Sequence, residues 1–423
     1  MTASITIDTS LLTSESMVIQ KRRRNLAMLL FVIISLAVTI TIKQEVNPES
    51  GSLSYYILIF SAILLPFTNL TLVINALLGR ALPILIFGIL GIGWNLACGD
   101  LTAVKQLAIL VWVLGWLSCD RACLVLQDLI WIYIIIVLVG LYIVAQTDMN
   151  RWGMLPNTST YVGEEYRLSF APNIGNSAII SLALVLLLAR DWRIARRNFA
   201  VLCLCLYFLV MSFVRTALIA LIIYLFMRWW LARKPRTSTK SFWMAVIVGF
   251  GINLLCFCAP FLLLYFQKIE IISLFLLHGS TDLNFNELQL NLYRPLLWSE
   301  HLEILWTSPF MMGYGSTDLS LLSTGLILTE NGGNEAQLTR MMACFGLPGV
   351  FYTWYFVERL GAASRARDQW AVACFPSFIF LMMQWGNSFH PTDAKGAIFL
   401  LIAVHGSQAF RPQFSPTIDQ RRP

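Results

Sequence analysis

Residues 199–230 read FAVLCLCLYFLVMSFVRTALIALIIYLFMRWW, a 32-residue apolar run with Arg215 near its middle. Arg190, Arg193, Arg196 and Arg197 precede the run, and Arg228, Arg233, Lys234 and Arg236 close or follow it. Short loops rich in Lys and Arg stay on the cytoplasmic side of a membrane, so both ends of this run belong on one side and the run crosses twice. At about 1.5 Å per helical residue it spans roughly 48 Å, enough for two short helices joined near the far face by a turn around Ser212–Thr216. That turn holds a guanidinium at the outer membrane boundary, where a permanent cation calls for an anionic partner. A lipid-linked phosphate arriving sideways from the bilayer meets that need.

The rest of the chain agrees with lipid as its solvent. Of 423 residues, 57% are hydrophobic and 13% charged, which is more apolar surface than a water-soluble core conceals. The net charge of +7 sits in short loops between apolar segments, so membrane topology explains it and nucleic acid is not an expected partner. The nine cysteines lie in or beside apolar stretches, the Cys-x-Cys pairs at 203/205 and 256/258 diverge on a helix, and the four histidines are scattered. Neither a zinc site nor a disulfide framework is indicated, and no cofactor is expected.

Lys21-Arg22-Arg23-Arg24 anchors a first span near 25–42, read as an uncleaved signal anchor. Further apolar segments fall near 53–73, 81–98, 101–118, 129–145, 173–189, 199–212, 216–230, 242–266, 342–358, 371–386 and 397–410. The expectation is an all-α polytopic membrane protein of about twelve transmembrane helices, with 1–24 and 411–423 as cytoplasmic tails and 25–410 as the transmembrane domain. In that layout 21 of the 30 Lys and Arg residues are cytoplasmic. Two outer-face loops remain, 146–172 and 267–341, the second long enough for a subdomain between the ninth and tenth helices. No internal repeat of the transporter kind is visible.

Candidate chemistry gathers in those loops. Arg294 and Pro295 lead into a helix over Leu296–Trp306, with Trp298 and His301 on the face of Arg294, and a helix start beside a guanidinium is a good anion site. The plainer reading of that helix is an amphipathic segment lying on the membrane with Arg294 as interfacial anchor. Asn334 is placed to cap a later helix with Gln337 completing a capping box, which sets Glu335 at the membrane boundary. Glu335 is then either a partner for the helix dipole or a general base. Arg167 can reach phosphate while Asn173 caps or hydrogen-bonds, and Arg340 reads as interfacial anchor or substrate contact. The outer loops contain no Asp-x-Asp pair of the metal-binding kind, so charge neutralisation falls to arginines.

The order Arg167…Phe170-Ala-Pro172-Asn173, Ser212-x-x-Arg215-Thr216, Arg294-x3-Trp298, Pro309-x3-Gly313-x-Gly315, Asn334-Glu335-x2-Leu338 and Phe345-Gly346-x2-Gly349 resembles the O-antigen ligase and Wzy-type polysaccharide polymerase superfamily. The likeness covers roughly residues 165–360 by motif and the whole chain by topology. It implies a metal-independent inverting glycosyl transfer at the outer face of the bacterial inner membrane, with an undecaprenyl-diphosphate-linked oligosaccharide as donor and a growing glycan chain as acceptor. It further implies that Arg215 and Arg294 grip the diphosphate, whose negative charge grows as it leaves. Arg167, Asn173, Trp298 and Arg340 complete the binding set. Glu335 stands where ligases often carry histidine, which favours polymerases, in the narrower sense a xanthan-type repeat-unit polymerase, with Glu335 as base and His301 in reserve. A chain-length regulator protein is an optional partner.

Two rivals share the composition. A ligase would transfer the glycan to lipid A core or to protein, and a flippase or secondary transporter would move it, although a transporter should show duplicated halves and midplane charge. Glu335→Gln keeps the side-chain shape and cannot accept a proton, so it should abolish chain growth if Glu335 is the base. Polymerisation at the wild-type rate in that variant would place the base elsewhere.

Overall fold

The computed structural model describes residues 18–19, 21–30, 32–33, 60–119, 126–147, 153–154, 166–167, 169–170, 174–190, 192–212, 214–233, 239–277, 281–292, 294–315, 336–365 and 369–384. Helix α1 covers 21–30, α2 Phe60–Phe67, α3 Leu70–Leu78, α4 Leu82–Ala97, α5 Leu101–Leu117 and α6 Leu126–Thr147. Then follow α7 Ile174–Leu188, α8 Trp192–Arg197, α9 Phe199–Met211, α10 Arg215–Ala232 and α11 Thr239–Phe266. Short helices α12 Glu270–Leu277 and α13 Phe285–Asn291 precede α14 Arg294–Thr307, a 3-10 turn at Pro309–Met311, α15 Gln337–Phe345, α16 Pro348–Arg365 and α17 Gln369–Gln384. Among the described residues the sole strand pairing is a two-residue antiparallel ladder, Gly153 opposite Arg167 and Met154 opposite Tyr166.

The architecture is all-helical with apolar helices of membrane-crossing length. Arg215–Ala232 and Lys240–Phe266 are each long and apolar enough to cross a bilayer, and Phe60–Phe67 with Leu70–Leu78 makes a third if that bent pair is one span. Five more apolar helices are shorter, including Phe199–Met211 and Gln369–Gln384. Helix α11 shows what such helices need around them. Trp243, Ile247, Phe250, Leu254, Phe257, Phe261 and Leu262 are all exposed along it, an apolar face that water would penalise and hydrocarbon accepts. Helix α17 is the opposite case, buried on every side, with Gln369 and Met383 alone partly exposed. A helix apolar all round belongs at the centre of a bundle, and α10, α11 and α16 pack around α17.

The apolar run at 199–230 does break where expected. Ser212 Oγ bonds back to the Leu209 carbonyl at 2.8 Å, giving the backbone a local alternative to the helix ladder, and Val214 is extended before α10 begins. Tyr224 Oη then donates to the Ala189 carbonyl (3.3 Å) and Arg228 Nη2 to the Arg190 carbonyl (3.1 Å). Arg190 lies nine residues before the run and Arg228 at its end, so the chain has doubled back and its two basic clusters share one end of the bundle. Arg190 also stands over the Trp370 ring, 5.4 Å from its centroid, at the start of α17.

Two expected spans are not continuous helices. The segment 53–73, described from Phe60, turns by 90° between α2 and α3. Pro66 leaves a carbonyl ladder that cannot close, Thr68 Oγ1 bonds back to the Leu65 carbonyl at 2.8 Å, and Asn69 Oδ1 accepts from Arg23 Nη1 at 3.1 Å. The segment 342–358 divides at Gly346, whose φ of 63° no neighbouring residue type tolerates as readily, and Pro348 then opens α16. The segment at 397–410 lies outside the described residues.

That division has a packing cause. A Cβ on Gly346 would meet the Met311 carbonyl oxygen at 2.1 Å, and one on Gly313 would meet the Cys344 carbonyl at 2.5 Å. The turn at 309–315 is bonded to the 343–347 segment by Tyr314 N to Ala343 O (3.2 Å), Gly315 N to Cys344 O (2.7 Å) and Leu347 N to Met311 O (2.9 Å). The two glycine motifs are halves of one clasp. Gly346→Ala adds both a left-handed penalty and a backbone clash, so it should lower stability by about 3 kcal/mol or more, read as loss of folded, detergent-extractable protein. A variant as stable as wild type would show that the clasp is not made.

Candidate functional site

Arg215 is the first residue of α10 and is half-buried. Its Nη1 donates to the carbonyl of Leu276, the penultimate residue of α12. Carbonyls in a last helical turn lack intrahelical donors and carry partial negative charge, so a guanidinium there closes the helix end. Arg215 therefore has a structural task, holding α12 back against the reversal.

Arg294 opens α14, with Pro295 buried at the next position. The guanidinium is within electrostatic reach of the Cys256 thiol on α11. One turn on, Trp298 Nε1 donates to the Met383 carbonyl on α17 at 2.8 Å. Next along the stripe, His301 is fully buried and its Nδ1 lies 3.0 Å from Thr339 Oγ1 on α15, the proton's position depending on the ring tautomer. The shared face expected for Arg294, Trp298 and His301 thus turns inward. Pro295, Leu297, Ile304 and Leu305 are buried as well, which is packing into protein and not the posture of a helix floating on a membrane.

These side chains occupy one end of the bundle. Ser377 Oγ donates to the Ala220 carbonyl at 2.7 Å, and Trp370 Nε1 to the Leu186 carbonyl at 2.6 Å. With Arg228 at the Trp370 end, α10 and α17 run antiparallel, so Arg215 stands beside the last turn of α17. Trp298 reaches that same turn, and Gln384 within it donates to Asn253 Oδ1 on α11 at 3.0 Å, one turn from Cys256. Arg215, Arg294 and Trp298 therefore share the end of α17 that is remote from Arg190 and Arg228.

The remaining candidates are placed unevenly. Arg340 lies on α15 and reaches the Cys344 thiol one turn later. Arg167 is located by its backbone alone, in the ladder opposite Gly153. Asn173 and Glu335 lie outside the described residues. Asn334, expected to cap this helix with Gln337, also lies outside the described residues, and the residue before α15 is Ala336 in the left-handed region (φ 57°, ψ 60°). A capping box does form in the same loop region, at Asn284 and Glu287, where the two side chains and backbones exchange bonds of 3.0 and 2.8 Å.

Sequence reasoning missed the buried amide pair Asn253 and Gln384, and it took Phe170 for part of a binding motif. Phe170 is a fully buried plug, edge-on to Tyr133 and Phe208, and its carbonyl oxygen sits where a Cβ on Gly140 would be, 2.0 Å away. The isolated Gly140 inside an apolar helix was the available signal of a close backbone approach. Among the described residues, no group of three His, Cys, Asp or Glu side chains is placed to hold a metal ion.

Fold and site together define an all-helical protein with helices long and apolar enough to span a membrane and a cationic, aromatic end to its bundle. No protein-family model matches the sequence, and no curated protein matches it. The contact of Trp298 is checkable in isolation. Trp298→Phe keeps the ring and removes the N–H, leaving the Met383 carbonyl without that donor, and should lower stability by about 1 kcal/mol in a thermal unfolding assay.

Proposed function

We propose that the chain is a polytopic inner-membrane glycosyltransferase that polymerises oligosaccharide repeat units carried on undecaprenyl diphosphate, with its transfer site at the outer face. In this reading the bundle crosses the membrane twelve times and both termini are cytoplasmic. The observation that carries it is the sharing of one bundle end by Arg215 and Arg294, remote from the basic clusters at Arg190 and Arg228. Two half-buried guanidiniums near a membrane boundary suit a diphosphate, because fixed donors in a poorly solvated site act most strongly on charge that grows as the bond to the anomeric carbon breaks. The apolar face of α11 beside Cys256 and Arg294 offers the polyprenyl tail a hydrocarbon path to that site. Trp298, half-buried one turn from Arg294, gives an aromatic wall.

Each step uses this chain's own groups. The arginines hold the donor diphosphate and stabilise it as leaving group. Glu335 takes the proton of the acceptor hydroxyl as its oxygen attacks the anomeric carbon from the opposite side, inverting the centre. Full burial keeps His301 from the substrate, so its part is to position α14 against α15 through Thr339.

The test is reconstitution in proteoliposomes with a lipid-diphosphate repeat unit, following chain growth and release of the diphosphate lipid. Arg215→Ala and Arg294→Ala should each cut transfer on the order of 100-fold, the size expected for removing a fixed donor to a charged transition state. Arg215→Lys keeps a donor for the Leu276 carbonyl, so a fall in transfer without a fall in thermal midpoint separates substrate binding from helix closure. Normal polymer length in both alanine variants would overturn the assignment.

A further inference from the structure

Helix α15 begins with hydrogen-bonding groups that meet no partner among the described residues. Its N-cap, Ala336, carries no capping oxygen, and the backbone N–H groups of Gln337, Leu338 and Thr339 find no acceptor among the described residues, the first ladder bond being Arg340 N to Ala336 O at 3.0 Å. Such a turn concentrates about half a positive charge. Independently of the backbone, Gln337 is fully buried and neither its Oε1 nor its Nε2 has a partner among the described residues. Every Cα–Cβ bond in a helix tilts toward the N-terminus, so the side chain of this first residue leans into the uncapped turn. Buried amides are almost always satisfied, so one with both atoms idle calls for a partner, which a bound molecule can supply.

We propose that the first turn of α15 is a binding subsite for a sugar oxyanion, a phosphate or carboxylate flanked by a hydroxyl. The three N–H groups and Gln337 Nε2 would donate to the anion's oxygens, and Gln337 Oε1 would accept from the neighbouring sugar hydroxyl. Arg340 lies one turn along the same helix. Asp100 makes its field felt at Cys344, two turns from Gln337, so the acidic group stands at the other end of this helix. His301 ties the subsite to α14 through Thr339, which sets it at the bundle end that carries Arg294. That the anion belongs to a lipid-linked glycan rests on the function proposed above; that the turn binds a sugar oxyanion does not.

Thermal unfolding of the detergent-purified full chain tests this with glucose 1-phosphate, galacturonate and neutral glucose as probes. Glucose 1-phosphate, galacturonate or both should raise the unfolding midpoint by about 2–5 °C near saturation, and glucose should not. A response to the phosphate alone identifies the glycosyl phosphate as source, and a response to galacturonate identifies an acidic sugar. Gln337→Leu removes an unpaired buried amide, so it should unfold no earlier than wild type without ligand yet lose the shift. Gln337→Glu, which keeps the shape and repels an anion, should lose it as well if the leucine variant fails to fold. The shift should persist in Arg215→Ala/Arg294→Ala. No shift in wild type, or a shift retained in both Gln337 variants, overturns the subsite. A shift abolished by the arginine double variant alone also overturns it and leaves the transfer reading standing. Loss of the shift in the Gln337 variants, beside a reconstituted wild type that transfers no glycan, upholds the subsite and removes the transfer reading.

Discussion

The antiparallel docking of α10 on α17 is the constraint on which the remainder depends. It is fixed directly by Ser377 on the Ala220 carbonyl, and through α7 by Arg228 on the Arg190 carbonyl just past that helix and Trp370 on the Leu186 carbonyl within it. Each is a polar side chain donating to a backbone oxygen inside an apolar bundle, where an unmet donor has no water to turn to. Because α17 is buried on every side, its register sets the heights of the helices around it. Arg215 cannot move along the bundle without breaking the contacts of α10 at Ala220 and Arg228, and its grip on Leu276 then draws α12 down to the same level.

A second constraint sits at the other wall of the candidate site. The turn at 309–315 and the segment at 343–347 approach so closely that only glycine fits at 313 and 346. Phe310 and Met311 are held in the left-handed region within that turn, Phe310 with its ring almost wholly exposed. Strain of this kind persists only where the surroundings over-determine the backbone, and here Ser308, Ala343, Cys344 and Trp94 all bond to the turn or its partner. The clasp fixes the C-terminal end of α15, and through it the position of the uncapped first turn and of Thr339 against His301. Two rigid frames, α10 with α17 and α14 with α15, thus bracket the end of the bundle where the cations lie.

How much of this was legible in the residues differs from element to element. The reversal within 199–230 could be read because charge and hydropathy act locally: basic residues at both ends of a run too long for one crossing leave one solution. The shared face of Arg294, Trp298 and His301 on α14 was legible from spacing, since residues four and seven apart share a side of a helix whatever surrounds it, but that this face turns inward was not. Less could be said of the broken spans. Hydropathy sees an apolar stretch at 342–358 and has no term for a carbonyl arriving from Met311 to claim the space above Gly346. Phe170 failed for a similar reason, because a motif residue and a core plug look alike until Tyr133, Gly140 and Phe208 close around it.

The sequence by itself determined the solvent, the helical class, the doubled run and which side chains carry charge into apolar surroundings, since these follow from composition and from periodicities of a few residues. Tertiary structure decided which of those charges meet. Arg215 and Arg294 are 79 residues apart, and nothing short of the α17 packing tells whether they share an end of the bundle. It likewise decided that Gln337 is buried with its amide idle, since burial and hydrogen-bond satisfaction are properties of neighbours that arrive from distant parts of the chain.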